Sequence, residues 1–207
     1  MNNNYNNSIL YGIGGIVLGL ILAGVFFPVM RYGGMMSWNN NQDPSVRTGI
    51  TSSIDQHFIE QMIPHHEGAI TMANLALEKA TRPEIKTLAQ AIIKAQTAEN
   101  QEMRTWYQDW FGKSVPTGTI LGIGGMMSQG GMHMGGTQDI EALKNAPDFD
   151  KAFMEQMMPH HQMAIMMARM LESGTNRREM LQLAKNIQTS QAAEIQQMQG
   201  WYANWYR

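Results

Sequence analysis

The apolar residues of the chain fall into one uninterrupted run and several amphipathic stretches. The run Ile9–Met30 carries no charged residue, and about 20 apolar residues are enough to cross a bilayer as a helix. In the amphipathic stretches, apolar residues recur at steps of three and four, the period of a helix with one buried face. No stretch shows the alternation of a half-buried strand. The pattern therefore predicts an all-α protein.

The apolar run is better explained as an uncleaved membrane anchor than as a signal peptide. The preceding residues, MNNNYNNS, contain no Lys or Arg, and no Ala-x-Ala cleavage site follows the run. A secretory signal normally has both features. The sequence thus predicts a polar N-terminus at 1–8, a transmembrane anchor at 9–30 and a flexible Gly/Asn-rich tether at 31–52.

The amphipathic stretches form two copies of one unit. Asp55–Phe111 aligns with Asp150–Tyr206 without a gap, and an internal repeat of this kind defines how a chain is organised. Each copy predicts two antiparallel helices, and two such hairpins imply one four-helix bundle. The predicted segments are a first hairpin repeat at 53–112, a Gly/Met-rich crossover at 113–147 and a second hairpin repeat at 148–207.

The turn of each hairpin carries signals of helix ends. Thr81 with Glu84, and Asn176 with Glu179, have the spacing of a capping box that opens the second helix of each copy. Gly174 suits the C-terminus of the helix that precedes it.

Composition restricts the chemistry that the bundle can perform. The chain has 20 Met, no Cys and a net charge of −2. A charge so close to zero lacks the basic face of a nucleic-acid-binding protein. Without Cys there is no disulfide, thiolate metal site or cysteine nucleophile. Met is either an adaptable core residue or a soft metal ligand, so its position has to decide.

Residues equally distant from a hairpin turn face each other in an antiparallel helix pair. Counted from Thr81, Met62 and His66 fall near the level of Glu99 and Met103, and each pair is spaced i, i+4. The second copy repeats the set as Met157, His161, Glu194 and Met198. A carboxylate on an apolar stripe is costly unless it is paired, hydrogen-bonded or metal-bound. The pattern therefore indicates a metal site, or a His–Glu hydrogen bond that fixes the bundle register.

Each copy also places two adjacent histidines directly after a proline. Neighbouring residues lie about 100° apart around a helix, so both rings cannot face one internal point without distortion. Pro64 and Pro159 could supply that distortion as a kink. Alternatively, His66 faces its own hairpin while His65 faces a neighbouring helix or the outside. In that case Met62 and His65 would form a second, shallower pair.

The available donors are imidazole, thioether and one carboxylate per hairpin. Imidazole suits zinc, copper, iron and nickel, whereas thioether selects Cu(I). We therefore expect copper, as Cu(I), Cu(II) or both, with zinc or iron less favoured. The crossover is either an accessory soft metal site or a low-complexity linker. Its candidate ligands are Met126, Met127, Met132, His133 and Met134.

Catalytic motifs fit the sequence poorly. Di-iron bundles use Glu-x-x-His, but Glu60 and Glu155 precede the histidine pairs by a longer interval. The H-E-x-x-H zinc motif, a phosphate loop and a serine nucleophile arrangement are not visible. We therefore do not favour an enzyme. A metal-dependent redox or hydrolytic enzyme with a site in the bundle core, and a structural or partner-binding bundle, remain the alternatives.

The stretches FIEQMIPHHEGAITMA and FMEQMMPHHQMAIMMA resemble the family known as domain of unknown function 305, whose core motif is M-x-P-H-H-x-x-A-I-x-M-A. The resemblance covers both repeats and implies a ferritin-like four-helix bundle. Some members of that family are periplasmic or secreted copper-binding proteins tied to copper resistance. This implies a copper role for the motif residues Met62, His65, His66 and Met72 and their copies Met157, His160, His161 and Met167. The anchor and the Met/His-rich crossover depart from the family pattern.

These observations predict a membrane-anchored, copper-binding protein that serves sequestration, delivery or tolerance. Its expected partners are a metal ion and the membrane, without nucleic acid; an oligomer or a copper-handling partner stays open. We expect the bundle outside the cytoplasm, because thioethers compete poorly with cytosolic thiols for Cu(I) and the absence of Cys fits an oxidising compartment. Arg31 and Arg47 point the other way under the positive-inside rule, although Asp43 partly offsets them.

Overall fold

The described part of the chain consists of helices and their connections. The computed structural model describes residues 44–116 and 137–206, with side chains from 54 to 116 and from 139 to 206. Strands are absent from these ranges, so the all-α prediction is confirmed. The helices are α1 (Pro44–Lys79), α2 (Pro83–Phe111), α3 (Thr137–Lys144), α4 (Phe149–Gly174) and α5 (Arg178–Trp205).

The four long helices pack as two hairpins. α1 packs on α2, α4 packs on α5, and the two hairpins meet through α1 and α4. The short helix α3 rests on α4 and α1. Two segments are more ordered than their sequence suggested: α1 already begins at Pro44, within the predicted tether, and α3 lies within the predicted crossover. None of the helices in 44–116 and 137–206 is long and apolar enough to span a bilayer. The predicted anchor at 9–30 lies outside these ranges.

The helix-capping prediction was wrong. α2 and α5 begin after Arg82 and Arg177, and neither residue makes a side-chain cap. Thr81 instead bonds to the other hairpin, donating to Asp150 through its backbone N–H at 3.0 Å and its hydroxyl at 2.5 Å. The Arg82 N–H donates to the same carboxylate at 3.0 Å. A buried carboxylate from α4 thus satisfies the start of α2, and the local capping residues are not needed.

At the opposite end of the interface between the hairpins, a second buried aspartate also accepts from the other hairpin, but from a side chain. Asp55 is buried and accepts a 3.0 Å hydrogen bond from Nε of Arg177. Burial raises the pKa of Asp55, against hydrogen bonds from Thr175 and Arg177 that lower it. The Arg177 guanidinium also lies 4.1 Å from the ring centroid of Trp110, and Arg82 lies 4.0 Å from that of Trp205. Both ends of the interface are therefore closed by an Asp and by an Arg stacked on Trp.

Two glycines end helices for different reasons. Gly174 is the last residue of α4, as predicted, and a Cβ there would lie 2.7 Å from Cδ1 of Ile54. Its missing side chain therefore lets α1 approach closely. Gly112 follows α2 in the left-handed region, with φ of 66°, and its N–H donates to the Gln108 carbonyl at 2.9 Å. Glycine adopts that conformation without steric cost.

Buried polar residues divide the apolar core into two clusters. The first cluster joins the C-terminal half of α1 and the start of α2 to the start of α4 and the end of α5. The second cluster joins the complementary halves of the same helices. On each long helix the two clusters are separated by buried polar positions. This polar layer consists of His65, His66, Gln96, Asn100, His160, His161 and Gln191.

Candidate metal centre

One histidine of each pair bonds to a glutamate of its own hairpin. His66 is buried, and its Nε2 donates to Oε2 of Glu99 at 2.7 Å. The second hairpin repeats this bond between His161 and Glu194 at 2.6 Å. Counting levels from the hairpin turn therefore predicted the partner correctly in both copies. Because an ionised carboxylate only accepts hydrogen bonds, the proton resides on Nε2. In both rings Nδ1 is the nitrogen that remains for a metal, and it is buried without a partner.

The other histidine of each pair faces the opposite hairpin. The rings of His65 and His160 stack with centroids 3.7 Å apart and planes 2° apart. Nε2 of His65 also donates to the backbone carbonyl of His160 at 3.2 Å. α1 and α4 remain helical through Pro64 and Pro159. Of the two arrangements that the sequence allowed, the structure has the one in which each histidine of a pair serves a different neighbour.

The stacked histidines are neutral at physiological pH. Burial and, to a smaller extent, the nearby His66 lower the pKa of His65 to about 3. Burial likewise lowers the pKa of His160 well below its usual value, with added repulsion from His65 and His161. A neutral imidazole is the form that binds metals. Burial therefore keeps these rings ready to act as ligands without first losing a proton.

Imidazole nitrogens without a hydrogen-bond partner are concentrated in the polar layer. Buried polar atoms are normally paired, and leaving one unpaired costs about 1–3 kcal/mol. The buried and unpartnered nitrogens are Nδ1 of His65, His66, His160 and His161 and Nε2 of His160. A neutral imidazole has one lone-pair nitrogen, so each of the four rings can offer one lone pair to a metal ion.

Thioether groups flank this layer in both apolar clusters. Met62 and Met103 are fully buried in the second cluster, and Met167 packs against it. Met72, Met157 and Met198 are buried in the first cluster. Among the described residues, no three histidine or carboxylate side chains form a metal-binding group by themselves. The crossover candidates Met126, Met127, Met132, His133 and Met134 lie outside the described residues.

The sequence reasoning missed the buried amides. Gln96 and Gln191 occupy equivalent positions in the two repeats, and Asn100 lies one turn after Gln96. The side-chain oxygen of each is buried without a partner. The sequence feature that could have identified them is a polar residue on the otherwise apolar helix stripe that contains Ile92 and Met103. These amides increase the polarity of the layer between the two clusters.

The two glutamates that were compared with the di-iron motif each accept a hydrogen bond from a tyrosine. Glu60 accepts a hydrogen bond from the buried Tyr107, and Glu155 accepts one from Tyr202 at 2.5 Å. Burial and the bond to Glu60 raise the pKa of Tyr107 to about 12. These carboxylates therefore stabilise the packing of each hairpin, and they are not positioned against the histidines.

The fold and the site define a helical protein of two hairpins whose histidines meet in a buried layer flanked by methionines. The chain belongs to the DUF305 family, because the family profile, described as a domain of unknown function (DUF305), matches residues 55–202.

Solved structures of CopM are similar to this chain. CopM in its Cu(I)-bound form is 48% identical, covers 74% of this chain and 98% of CopM, and has a TM-score of 0.63. The Cu(II)-bound form is 47% identical, with 73% and 98% covered and a TM-score of 0.62. A DUF305 fragment from Deinococcus radiodurans is 25% identical, with 73% and 96% covered and a TM-score of 0.63. Among curated proteins, no match to the chain was found.

Proposed function

We propose that this protein binds copper through buried histidines and methionines and serves copper sequestration, delivery or tolerance. The observation that carries the proposal is the set of five unpartnered, buried imidazole nitrogens next to fully buried thioethers. Imidazole with thioether and without thiolate favours copper over hard cations. The similarity to CopM, which has been solved with Cu(I) and with Cu(II), supports the choice of metal.

The ligands divide by hairpin into two equivalent sets. The first set would be Nδ1 of His66 with the thioethers of Met62 and Met103. The second would be Nδ1 of His161 with Met157 and Met198. The stacked rings of His65 and His160 lie between the hairpins and supply further lone pairs to either set. Met72 and Met167 would add one further thioether ligand each, in the first and the second cluster respectively. A pair of thioethers with one imidazole is a soft donor set that suits Cu(I).

Glu99 and Glu194 would orient these ligands. The sequence predicted them as metal ligands, but each carboxylate already accepts the Nε2 proton of a histidine. A carboxylate behind a metal-binding imidazole fixes its tautomer and raises its basicity. Their contribution to copper binding would therefore be to hold the Nδ1 lone pair in position.

A titration with matched variants tests the buried site. The full chain would be titrated with Cu(I) against a chromophoric chelator, beside Met62→Leu/Met157→Leu and the control Met154→Leu. Leu keeps the side-chain volume and removes the thioether, and Met154 is an equally buried methionine outside the proposed sets. We expect the double variant to bind Cu(I) at least tenfold more weakly and the control to match the parent.

Two results would contradict the proposal. Equal affinity of the double variant and the parent would remove methionine from the site. A parent chain that binds no metal tightly would favour the structural alternative, in which the His–Glu bonds serve only to fix the bundle register.

We further propose that the four long helices form a ferritin-like bundle on the extracytoplasmic side of a membrane, tethered by residues 9–30. The support is chemical, because a thioether site has no cytosolic thiols to compete with outside the cytoplasm. Fusing a reporter that is active only outside the cytoplasm to Arg207 should give activity. Activity of a cytoplasmic reporter at the same position would contradict this orientation.

A further inference from the structure

The outer surface of α4 carries methionines in place of polar residues. Met166 and Met170 are 42% and 66% exposed, and they are the exposed large hydrophobic residues of the described ranges. Met163, half-buried, lies one turn before Met166. Residues spaced i, i+3 and i+7 share one face of a helix. We call Met163, Met166 and Met170 the α4 methionine face.

This face belongs to the second repeat alone. The equivalent residues of the first repeat are Gly68, Thr71 and Leu75, none of which has a thioether. The core methionines are of two kinds. Met62, Met72 and Met103 recur at their equivalent positions in the second repeat, whereas the buried Met154 and Met180 stand where the first repeat has Ile59 and Ile85. Packing explains methionines inside the core. It does not explain two side chains that point into solvent in one copy.

The spacing of the face suits a soft metal ion. Side chains three and four residues apart on a helix have Cβ atoms about 5–6 Å apart, and Met has three flexible torsions that let its sulfur adapt. Thioethers bind Cu(I) and similar soft ions and discriminate against hard cations. Met167 follows Met166 directly and packs against the second apolar cluster, so the face adjoins a thioether that reaches the core.

We propose that the α4 methionine face is a second, solvent-facing site for a soft monovalent ion, Cu(I) or Ag(I), separate from the polar layer. It rests on the proposed function only for the choice of metal. The site uses thioethers alone, needs no change in the core to be filled, and is open to an ion arriving from solution.

Silver(I) is the probe of choice because it does not change oxidation state. The full chain would be labelled with ¹³C at the Met methyl groups, and the signals of the face would be assigned from Met166→Leu and Met170→Leu. We expect Ag(I) to shift these signals with saturation. In equilibrium dialysis, Met166→Leu/Met170→Leu should lose one bound equivalent. Met180→Leu, a buried methionine in the same hairpin, should lose none.

Repeating the Ag(I) titration in the Met62→Leu/Met157→Leu variant distinguishes this site from the buried one. The signals of Met166 and Met170 should still shift there, so loss of the buried site would leave this proposal standing. The proposal is overturned if those signals stay fixed while buried methionines respond. It is equally overturned if they shift without saturation at millimolar Ag(I), or if the double surface variant retains every equivalent of the parent.

Discussion

His65 and His66 each use one ring nitrogen for structure and leave the other available. His66 donates from Nε2 to Glu99, and His65 donates from Nε2 to a backbone carbonyl of α4. In both rings Nδ1 is buried without a partner. The hydrogen bonds fix the ring orientation, so the free lone pairs are held in place before any ligand arrives. Ordering of the ligands therefore adds little to the cost of binding.

Substitution of Glu99 by Gln tests the orienting role. Gln retains an acceptor for the Nε2 proton but makes a weaker, neutral hydrogen bond. We expect the affinity of the first hairpin for Cu(I) to fall about tenfold, the lower end of such effects, with the number of bound ions unchanged. Competition titration measures both quantities. Glu67→Gln is the control, because that glutamate is exposed and bonds to Arg104. Loss of one bound ion in Glu99→Gln would instead make the carboxylate a direct ligand.

At the scale of single residues, one contact of the site can be predicted from the sequence and another cannot. The His66–Glu99 contact is predictable, because a short turn fixes the register between two antiparallel helices. The stacking of His65 on His160 is not, because the register of α1 on α4 depends on how two separate hairpins pack. The capping prediction failed for the same reason. Thr81 has a local partner by its spacing, but Asp150 of the other hairpin binds it.

At the scale of helices, the hairpins are joined by reciprocal contacts between a helix start and a turn. Asp150, near the start of α4, accepts from the turn that leads into α2. Asp55 of α1 accepts from Arg177 at the start of α5. The first contact satisfies backbone N–H groups at the start of α2, which lack intrahelical partners. The second contact is made by the Arg177 side chain, because the Arg177 N–H bonds to Thr175 of its own turn.

Replacing Asp150 by Asn should weaken this junction. The amide has one acceptor oxygen where three donors now converge, and its NH₂ group would face them. We expect the free energy of unfolding to fall by about 1–3 kcal/mol, the usual effect of leaving buried polar groups unsatisfied. Urea denaturation followed by circular dichroism measures it. Asp109→Asn, at an exposed position of α2, should stay within about 0.5 kcal/mol of the parent. Equal stability of the two variants would contradict this role of Asp150.

At the scale of the whole described unit, the polar layer crosses the middle of an otherwise apolar core. Burying it is unfavourable unless its groups are bonded or bound to a ligand. The two apolar clusters on either side hold the layer in place. The metal-free protein should therefore be less stable than its size suggests. A ligand that binds only the folded form would add stability by mass action.

The layer also makes the metal-free protein sensitive to acid. The pKa of His65 is about 3 in the fold and about 6.5 when unfolded. Between these values the unfolded chain binds more protons, so stability falls as pH decreases from 6.5. His160 shifts in the same direction. The ionisable groups nearest to this pair are His66, His161 and, through His66, Glu99.

Denaturation at several pH values checks this prediction. From pH 6 to pH 5, His65 should lower the free energy of unfolding by about 1.2 kcal/mol, and His160 should lower it in the same direction. His160→Gln removes one of these groups and should make the pH dependence less steep. His57→Gln, at an exposed position of α1, should leave it unchanged. A parent whose stability is constant from pH 7 to pH 5 would show that the buried rings do not control it.

The reciprocal contacts between the hairpins make the interface symmetric. The Asp at each end, the Arg stacked on Trp at each end and the histidine pair at the centre join two similar surfaces in an isologous manner. Such a surface is self-complementary, which is the geometry of a twofold-symmetric homodimer. One chain thus contains both halves of an interface that two identical subunits would otherwise form, and its halves are free to differ, as they do at Met166 and Met170 on the outer face of the second.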